Sequence, residues 1–280
     1  MDDPTPDSVV WLIGAGRGIG RALALHLARE GRTVVGSARN REDLESLARE
    51  AEGLSGRILP QPLDVTDRAA TAQALEEIEA RVGLPDVVVL NAGTHTSMPA
   101  ARFDPEVFDK LMAVNVGGVV NGLAAVIPRF VKRRRGRITV VGSVAGYVGL
   151  PTASAYSASK AAVIAMGQSL RPELEAFGIT VQVVNPGFVR TPLTDRNTFA
   201  MPFLMEPEAA AARIAKGLRS SRFEITMPRR FTWLMKLLAM LPYPVLFALT
   251  RRAIPPEARP EALDADGTDE GGTDRKADAA

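Results

Sequence analysis

"VVWLIGAGRGIGRALALHLARE", residues 9–30, is the stretch that decides the fold. Five apolar residues, Val9 to Ile13, read as a buried strand. Gly14, Gly16, Gly18 and Gly20 follow at once, and then a run with apolar residues at helical spacing. Glycines allow a tight turn and close backbone approach to a pyrophosphate. The helix behind them offers free N–H groups and the positive end of its dipole. A glycine-rich structural turn is the plainer reading. The position between strand and helix favours a dinucleotide site over it.

The same alternation continues outward. "TVVGS" (33–37), "VVVL" (87–90), "RITVVG" (137–142) and "TVQVV" (180–184) are short, apolar and β-branched. "RILPQPL" (57–63) is a weaker strand, whose prolines point to a strand end or an edge. Amphipathic stretches such as "NREDLESLAREA" and "RAATAQALEEIEARV" lie between. This βαβα rhythm predicts an α/β fold: a single doubly wound parallel sheet, Rossmann-like, with helices on both faces. Of the 280 residues, 8–228 form that domain, with a flap over the substrate at 188–212. Residues 1–7 are expected to be flexible, and 229–254 form an apolar extension. Residues 255–280 have too few large apolar side chains to offset the entropy of ordering, so a disordered tail is expected.

Composition excludes several functions. A formal net charge of +2 is too small to indicate nucleic acid as a partner. The basic run "KRRRGR" (132–137) reads as the solvated end of a long helix. No cysteine is present, which removes disulfides, thiolate chemistry and Cys-based zinc sites and fits a reducing compartment. "MDDPTPDS" lacks the features of a signal peptide, so a cytoplasmic protein is expected. His26 and His95 lack metal-ligand spacing and read as satisfied structural or surface residues; no metal is expected.

The second strand bears on the cofactor. A site for NAD places a carboxylate near that strand's end, to bind the ribose 2′-OH. Here "VVGSARNRED" offers Ala38 and then Arg39. The planar fork of Arg39 suits a 2′-phosphate, and Arg17 in the glycine loop is placed to reach the same group. NADP(H) is favoured over NAD(H), against the plainer reading of two solvated arginines.

In "SAYSASKAAVIAMGQSL", Tyr156 and Lys160 stand four residues apart, on one face of a helix. An ammonium near a phenol lowers its pKa from about 10. That predicts a proton donor and acceptor usable near neutral pH. In "VVGSVAG", Ser143 follows the fifth strand, where its hydroxyl can bind a carbonyl.

With "GAGRGIG" (14–20), "LDV" (63–65), "NAG" (91–93), Asn115 in "AVNVGG", "YSASK" (156–160) and "NPGFVRT" (185–191), the chain resembles the short-chain dehydrogenase/reductase family from residue 8 to about 228. The resemblance implies Tyr156 as the acid in reduction and the base in oxidation. It implies that Lys160 tunes Tyr156 and binds the nicotinamide ribose. Ser143 would orient the carbonyl, and Asn115 would hold a water in a proton relay. Gly14, Gly16, Arg17, Gly18, Ile19 and Gly20 would cradle the cofactor, with Arg39 at a position basic in NADP-preferring members. Asp64 and Val65 would lie at the adenine; Asn91, Ala92 and Gly93 would line the cleft. Pro186, Gly187, Val189 and Thr191 would border the nicotinamide. A homodimer or homotetramer is implied, with helices around 104–133 and 153–177 as the interface. Ile13 stands where the family usually has Thr, which puts the local geometry of the glycine loop in question.

"RRFTWLMKLLAMLPYPVLFALTRR" (229–252) is long enough to span a membrane. Lys236 lies inside it, however, Pro242 and Pro244 break it, and Arg pairs at both ends give no positive-inside asymmetry. Two short amphipathic helices joined at "LPYP" are expected instead. Trp233 and Tyr243, with Arg229, Arg230, Arg251 and Arg252, suit an anionic bilayer interface. Packing on a partner subunit or on the flap is equally open. The flap offers Phe199, Met201, Phe203, Leu204 and Met205, which suits a hydrophobic substrate, or else a helix filling its own core. The leading expectation is an NADP(H)-dependent reductase of a hydrophobic aldehyde or ketone, with peripheral contact at the inner membrane face. The alternatives are alcohol oxidation by the same residues and a non-catalytic NADP-binding protein at a membrane.

Overall fold

Seven parallel strands form one sheet in the order β3-β2-β1-β4-β5-β6-β7 in the computed structural model, which describes residues 8–195 and 201–260. The strands are β1 Val9–Ile13, β2 Thr33–Ala38, β3 Arg57–Pro62, β4 Val87–Leu90, β5 Gly136–Val141, β6 Ile179–Pro186 and β7 Glu224–Met227. The helices before β5 are α1 Gly18–Arg29, α2 Arg41–Glu50, α3 Arg68–Val82, α4 Pro105–Met112 and α5 Gly118–Arg133. After it come α6 Ser154–Glu175, α7 Pro207–Leu218, α8 Arg229–Ala239 and α9 Tyr243–Thr250. Side chains alternate across each strand, so β1 feeds two cores. Val10 and Leu12 pack with Leu23 and Leu27 of α1 and Ile214 of α7. Trp11 and Ile13 pack with Leu75 and Ile78 of α3 and Val126 of α5. Burial on both faces is why these strands read as continuous apolar runs.

Chain winding reverses between β1 and β4, which pair directly. In open α/β sheets that switch point opens a crevice beyond the carboxyl ends of the strands. The helix starts around it carry side-chain caps. Asn40 accepts from the Glu42 N–H, Asp67 from Ala70, and Asp104 from Glu106, with Pro105 in the first turn.

The six strands expected from sequence are present, and the proline-bearing β3 lies at an edge. β7, at the other edge, was not foreseen, because four residues with a charged first member carry little signal. The basic run 132–137 is not simply solvated. Arg133 donates to the carbonyls of Leu84 and Pro85 at 3.0 and 2.7 Å, and buried Arg137 donates to the Ser220 carbonyl at 2.6 Å. A helix turning into a strand within three residues brings loop carbonyls together, and these guanidiniums satisfy them.

In the extension, "LPYP" joins α8 to α9 as expected, and α8 is amphipathic as expected, but α9 is apolar nearly throughout and is not. The inner face of α8 buries Phe231, Thr232 and Met235, and its outer face carries Trp233, Leu234 and Leu237, with Met240 exposed at its C-cap. In α9 only Leu246 is buried. Among the described residues, the helix long and apolar enough to cross a membrane by length and composition is the continuous Pro105–Arg133, not this segment. Half of its most apolar stretch is buried within the domain. Of the tail, 255–260 is described and contains a short 3₁₀ turn, Pro256–Ala258; the rest of the tail, residues 1–7 and Phe199 lie outside the described residues.

Candidate active site

A cleft of about 640 Å³ opens over the switch point. Its floor is the glycine loop. Gly14 has φ +94, and a Cβ there would lie 2.6 Å from the Ala92 nitrogen. Gly18 has φ +57, and a Cβ would meet Thr191 at 3.0 Å. Only glycine tolerates both the backbone and the approach. Ile13, in place of Thr, does not leave the loop loose. The N–H groups of Gly14 and Ala15 donate to the Ser37 carbonyl at 2.7 and 2.9 Å, and the Asn91 amide donates to the Gly14 carbonyl at 2.8 Å. The N-terminus of α1 has no side-chain cap and faces this loop.

Gly16, Arg17, Ile19, Arg39, Asp64 and Val65 line the cleft, as do Asn91, Ala92 and Gly93. Arg17 and Arg39 are exposed. Asp64 accepts from the Thr66 N–H and hydroxyl at 2.9 and 2.7 Å; these bonds, and then Arg39, hold its carboxyl below the usual value against the opposing effect of burial. Gly20 does not line the cleft. A Cβ there would sit 1.9 Å from the Gly14 carbonyl oxygen, so its part is to let α1 close on the loop. Asp43 of α2 also lines the cleft and was not foreseen. It is a carboxylate brought in from the next helix, where the end of β2 has none. The glycine cradle, the uncapped helix start and the two arginines fit a phosphate-bearing dinucleotide.

A smaller cavity of about 110 Å³ shares Ile19, Asn91, Gly93, Thr191 and Leu193 with the cleft. Into it come Ser143 from the end of β5, Tyr156 and Lys160 from α6, and Pro186, Gly187 and Val189 from the end of β6. The structure therefore assembles the residues expected at the nicotinamide with those expected to do chemistry. The Lys160 ammonium donates to the Val141 carbonyl at 2.8 Å and lies 5.7 Å from the centre of the Tyr156 ring.

Electrostatics depart from expectation here. Burial pushes the Tyr156 hydroxyl above its ordinary pKa, and a hydrogen bond with Ser143 opposes this only in part. Burial likewise pushes Lys160 down to about 8. Desolvation disfavours both charged forms, and the ammonium is bonded to a carbonyl rather than to the phenol. The spacing of four put the pair on one face but did not fix its dielectric.

Asn115 lies behind this cavity and is tied to the loop after β4. It lies in a π-helical turn, Ala113–Gly117, fully buried. Its Oδ1 accepts from the Thr94 N–H at 2.7 Å, and its Nδ2 donates to the Thr94 carbonyl at 2.9 Å and to Ser159 Oγ at 3.0 Å. The amide positions the loop after β4. That loop carries His95, whose ring meets Tyr156 edge-on at 4.7 Å between centroids. Its Nδ1 is buried without a hydrogen-bond partner among the described residues, and burial lowers its pKa. A satisfied or surface histidine was expected; only the packing of the 91–96 loop brings this one to the tyrosine.

Beside the small cavity, Phe188 stacks on Phe231 of α8 at 5.5 Å, and Phe203 lies 6.1 Å from Phe231. Phe231 and Met235 share an apolar cluster with Val144 and Val148, which follow Ser143. The extension is thus part of the wall next to Ser143.

Comparison with known proteins agrees with this geometry. The family model for short chain dehydrogenases matches residues 8–200. An uncharacterized oxidoreductase of Myxococcus xanthus is 38% identical over 239 residues, covering 85% of this chain and 94% of that protein. A 3-oxoacyl-(acyl-carrier-protein) reductase of Thermotoga maritima is 40% identical over 188 residues, 67% of this chain and 76% of its own length. The crystal structure of a short-chain dehydrogenase from Streptomyces avermitilis superposes with a TM-score of 0.76 at 25% identity, covering 88% of this chain and 97% of its own. With the glycine cradle and the Ser143, Tyr156 and Lys160 constellation in place, the chain belongs to the short-chain dehydrogenase/reductase family, oxidoreductases that act on CH–OH and C=O groups with NAD(P).

Proposed function

We propose that the protein is a cytoplasmic NADP(H)-dependent reductase of a hydrophobic aldehyde or ketone. The observation that carries the reading is the convergence of Ser143, Tyr156 and Lys160 on one cavity with Pro186 and Gly187, beside an aromatic wall of Phe188, Phe231 and Phe203. The bound cofactor supplies the hydride. Ser143 and Tyr156 hydroxyls hold the substrate oxygen as negative charge grows on it, and Tyr156 Oη passes it a proton. A phenol held above its ordinary pKa is protonated at neutral pH, the state a proton donor requires; the same groups serve alcohol oxidation in reverse. Lys160 keeps a positive charge close behind the phenol while it remains protonated.

Arg17 and Arg39 support NADP(H). Both are exposed on the cleft near the end of β2, which itself carries no carboxylate; Asp43 and Asp64 line the cleft from neighbouring elements. Two guanidiniums at that strand end suit a 2′-phosphate better than a bare 2′-OH. The relative from Thermotoga maritima, by its name, reduces an acyl-chain ketone. That supports an apolar carbonyl here. A homodimer or homotetramer through α5 and α6 is also proposed, since only half of the apolar stretch in Pro105–Arg133 is covered within one chain.

The test is NADPH consumption by purified protein on carbonyls of increasing chain length, with Tyr156→Phe as control. Turnover should rise with chain length and fall at least 100-fold, on the order expected for a lost general acid, in the variant. Cofactor binding with no turnover on any carbonyl would return the non-catalytic reading.

A further inference from the structure

We propose that the α8–α9 pair is a docking surface for an anionic lipid bilayer, which seats the mouth of the active site against the membrane. Among the described residues, eleven large hydrophobic side chains are exposed, and eight of them lie between 233 and 249. From α8 come Trp233, Leu234 and Leu237, and from its C-cap Met240, 80% exposed; from α9 come Tyr243, Val245, Phe247 and Leu249. A helix on a soluble surface turns a polar face outward, whereas the outer face of α8 is apolar and α9 is apolar on all sides. Exposed apolar patches of this kind mark interaction sites.

Charge selects the partner. Arg229 and Arg230 open α8, Arg251 and Arg252 follow α9, and all four are exposed. No Asp or Glu occurs between Glu224 and Glu257, and Glu224 is already paired with Lys236. A second copy docked through the same face would bring arginines toward arginines with no carboxylate of this segment to answer them. Anionic headgroups answer them directly, while acyl chains can surround an all-apolar helix as a flat protein partner cannot. Trp233 and Tyr243 are the residue types that settle at the headgroup boundary. The inner face of α8 packs on Val144, Val148 and Phe188, so the docked surface adjoins the catalytic cavity. The proposal deepens the reading of a lipophilic carbonyl substrate by naming where that substrate would come from.

Flotation of the full chain with phosphatidylcholine vesicles, with and without phosphatidylglycerol, tests it without turnover. Trp11 is fully buried and bonded to Ser37, so a change in tryptophan emission reports on exposed Trp233. The protein should float, with blue-shifted emission, only on vesicles containing phosphatidylglycerol, and salt should weaken the binding. Arg229, Arg230, Arg251 and Arg252 changed together to Gln should reduce affinity roughly a thousandfold. Leu237→Glu with Phe247→Glu, both at exposed positions, should abolish flotation without changing the melting temperature. Equal flotation on neutral vesicles, or none on either, would overturn the proposal. A dimer in sedimentation that the Leu237→Glu, Phe247→Glu variant splits, with no vesicle binding, would assign the face to a second copy instead. Flotation without carbonyl turnover would leave docking standing and remove the reductase reading. Turnover on long-chain carbonyls without flotation would do the reverse.

Discussion

Lys236, the one charge inside the apolar run that ends the domain, forms an ion pair with Glu224 at the start of β7. The same carboxylate accepts from the Tyr147 hydroxyl and from the Asn185 amide. The pair therefore ties α8 to the last strand and to the loop after Ser143.

Removing the pair should loosen the extension. Burial acts to raise the pKa of Glu224, but the bonds from Lys236, Tyr147 and Asn185 outweigh it and hold the carboxyl below its usual value. A depressed carboxyl contributes stability that is full above its unfolded pKa of about 4.5 and is lost as pH falls through the folded value. Lys236→Met should lower stability at pH 7 by about 1 kcal/mol, a modest figure because the ammonium is partly exposed. Thermal melts from pH 7 to pH 3 should show the gap between variant and wild type closing on the acid side.

Lys160 should trade stability for activity. Its folded pKa of about 8 lies below the ordinary 10.5, so burying its charge opposes folding at neutral pH. Between about 8 and 10.5 the unfolded chain binds more protons than the folded one, and stability contributed by this group rises with pH. Lys160→Met should melt higher than wild type at pH 7, by about 1–3 kcal/mol after loss of the bond to the Val141 carbonyl. That advantage should shrink toward pH 10.5, and turnover should fall about 100-fold or more.

Cofactor preference should reside in Arg17 and Arg39. Each charge-assisted contact to a 2′-phosphate is worth about 1.5–3 kcal/mol. Arg17→Ser with Arg39→Asp should raise the Kd for NADPH at least 100-fold and change that for NADH by less than about tenfold, read by fluorescence titration. Equal losses for both cofactors would remove the assignment.

Gly20→Ala should be far more damaging than Gly53→Ala. At Gly20 the added Cβ would lie 1.9 Å from a backbone oxygen, whereas at Gly53 nothing lies within 4 Å and only the positive φ of +81 resists. The first should destabilise the chain by about 3 kcal/mol or more and weaken cofactor binding. The second should destabilise it by about 1 kcal/mol and leave binding alone. Denaturant melts and cofactor titration separate the two.

The sequence by itself determined the parts whose physics is local. Val9 to Gly20 could only be a strand, a tight turn and a helix start, since apolar run, glycine spacing and helical period all lie within a few residues. Pro60 and Pro62 sent β3 to an edge because proline cannot donate to a ladder on both sides. The spacing of Tyr156 and Lys160 fixed their shared face, and "LPYP" fixed the break between α8 and α9. Tertiary structure decided what depends on residues distant in the chain. His95 reaches Tyr156 only because Asn115, twenty residues away, clamps the loop through Thr94. Asp43 enters the cleft only because α2 folds back beside β2. β7 is a strand because β6 and Glu224's three donors hold it in place. The direction of the Tyr156 shift followed from burial rather than from its neighbour's charge. Spacing encodes which side chains can meet, but desolvation belongs to the packed interior, and no local pattern records it.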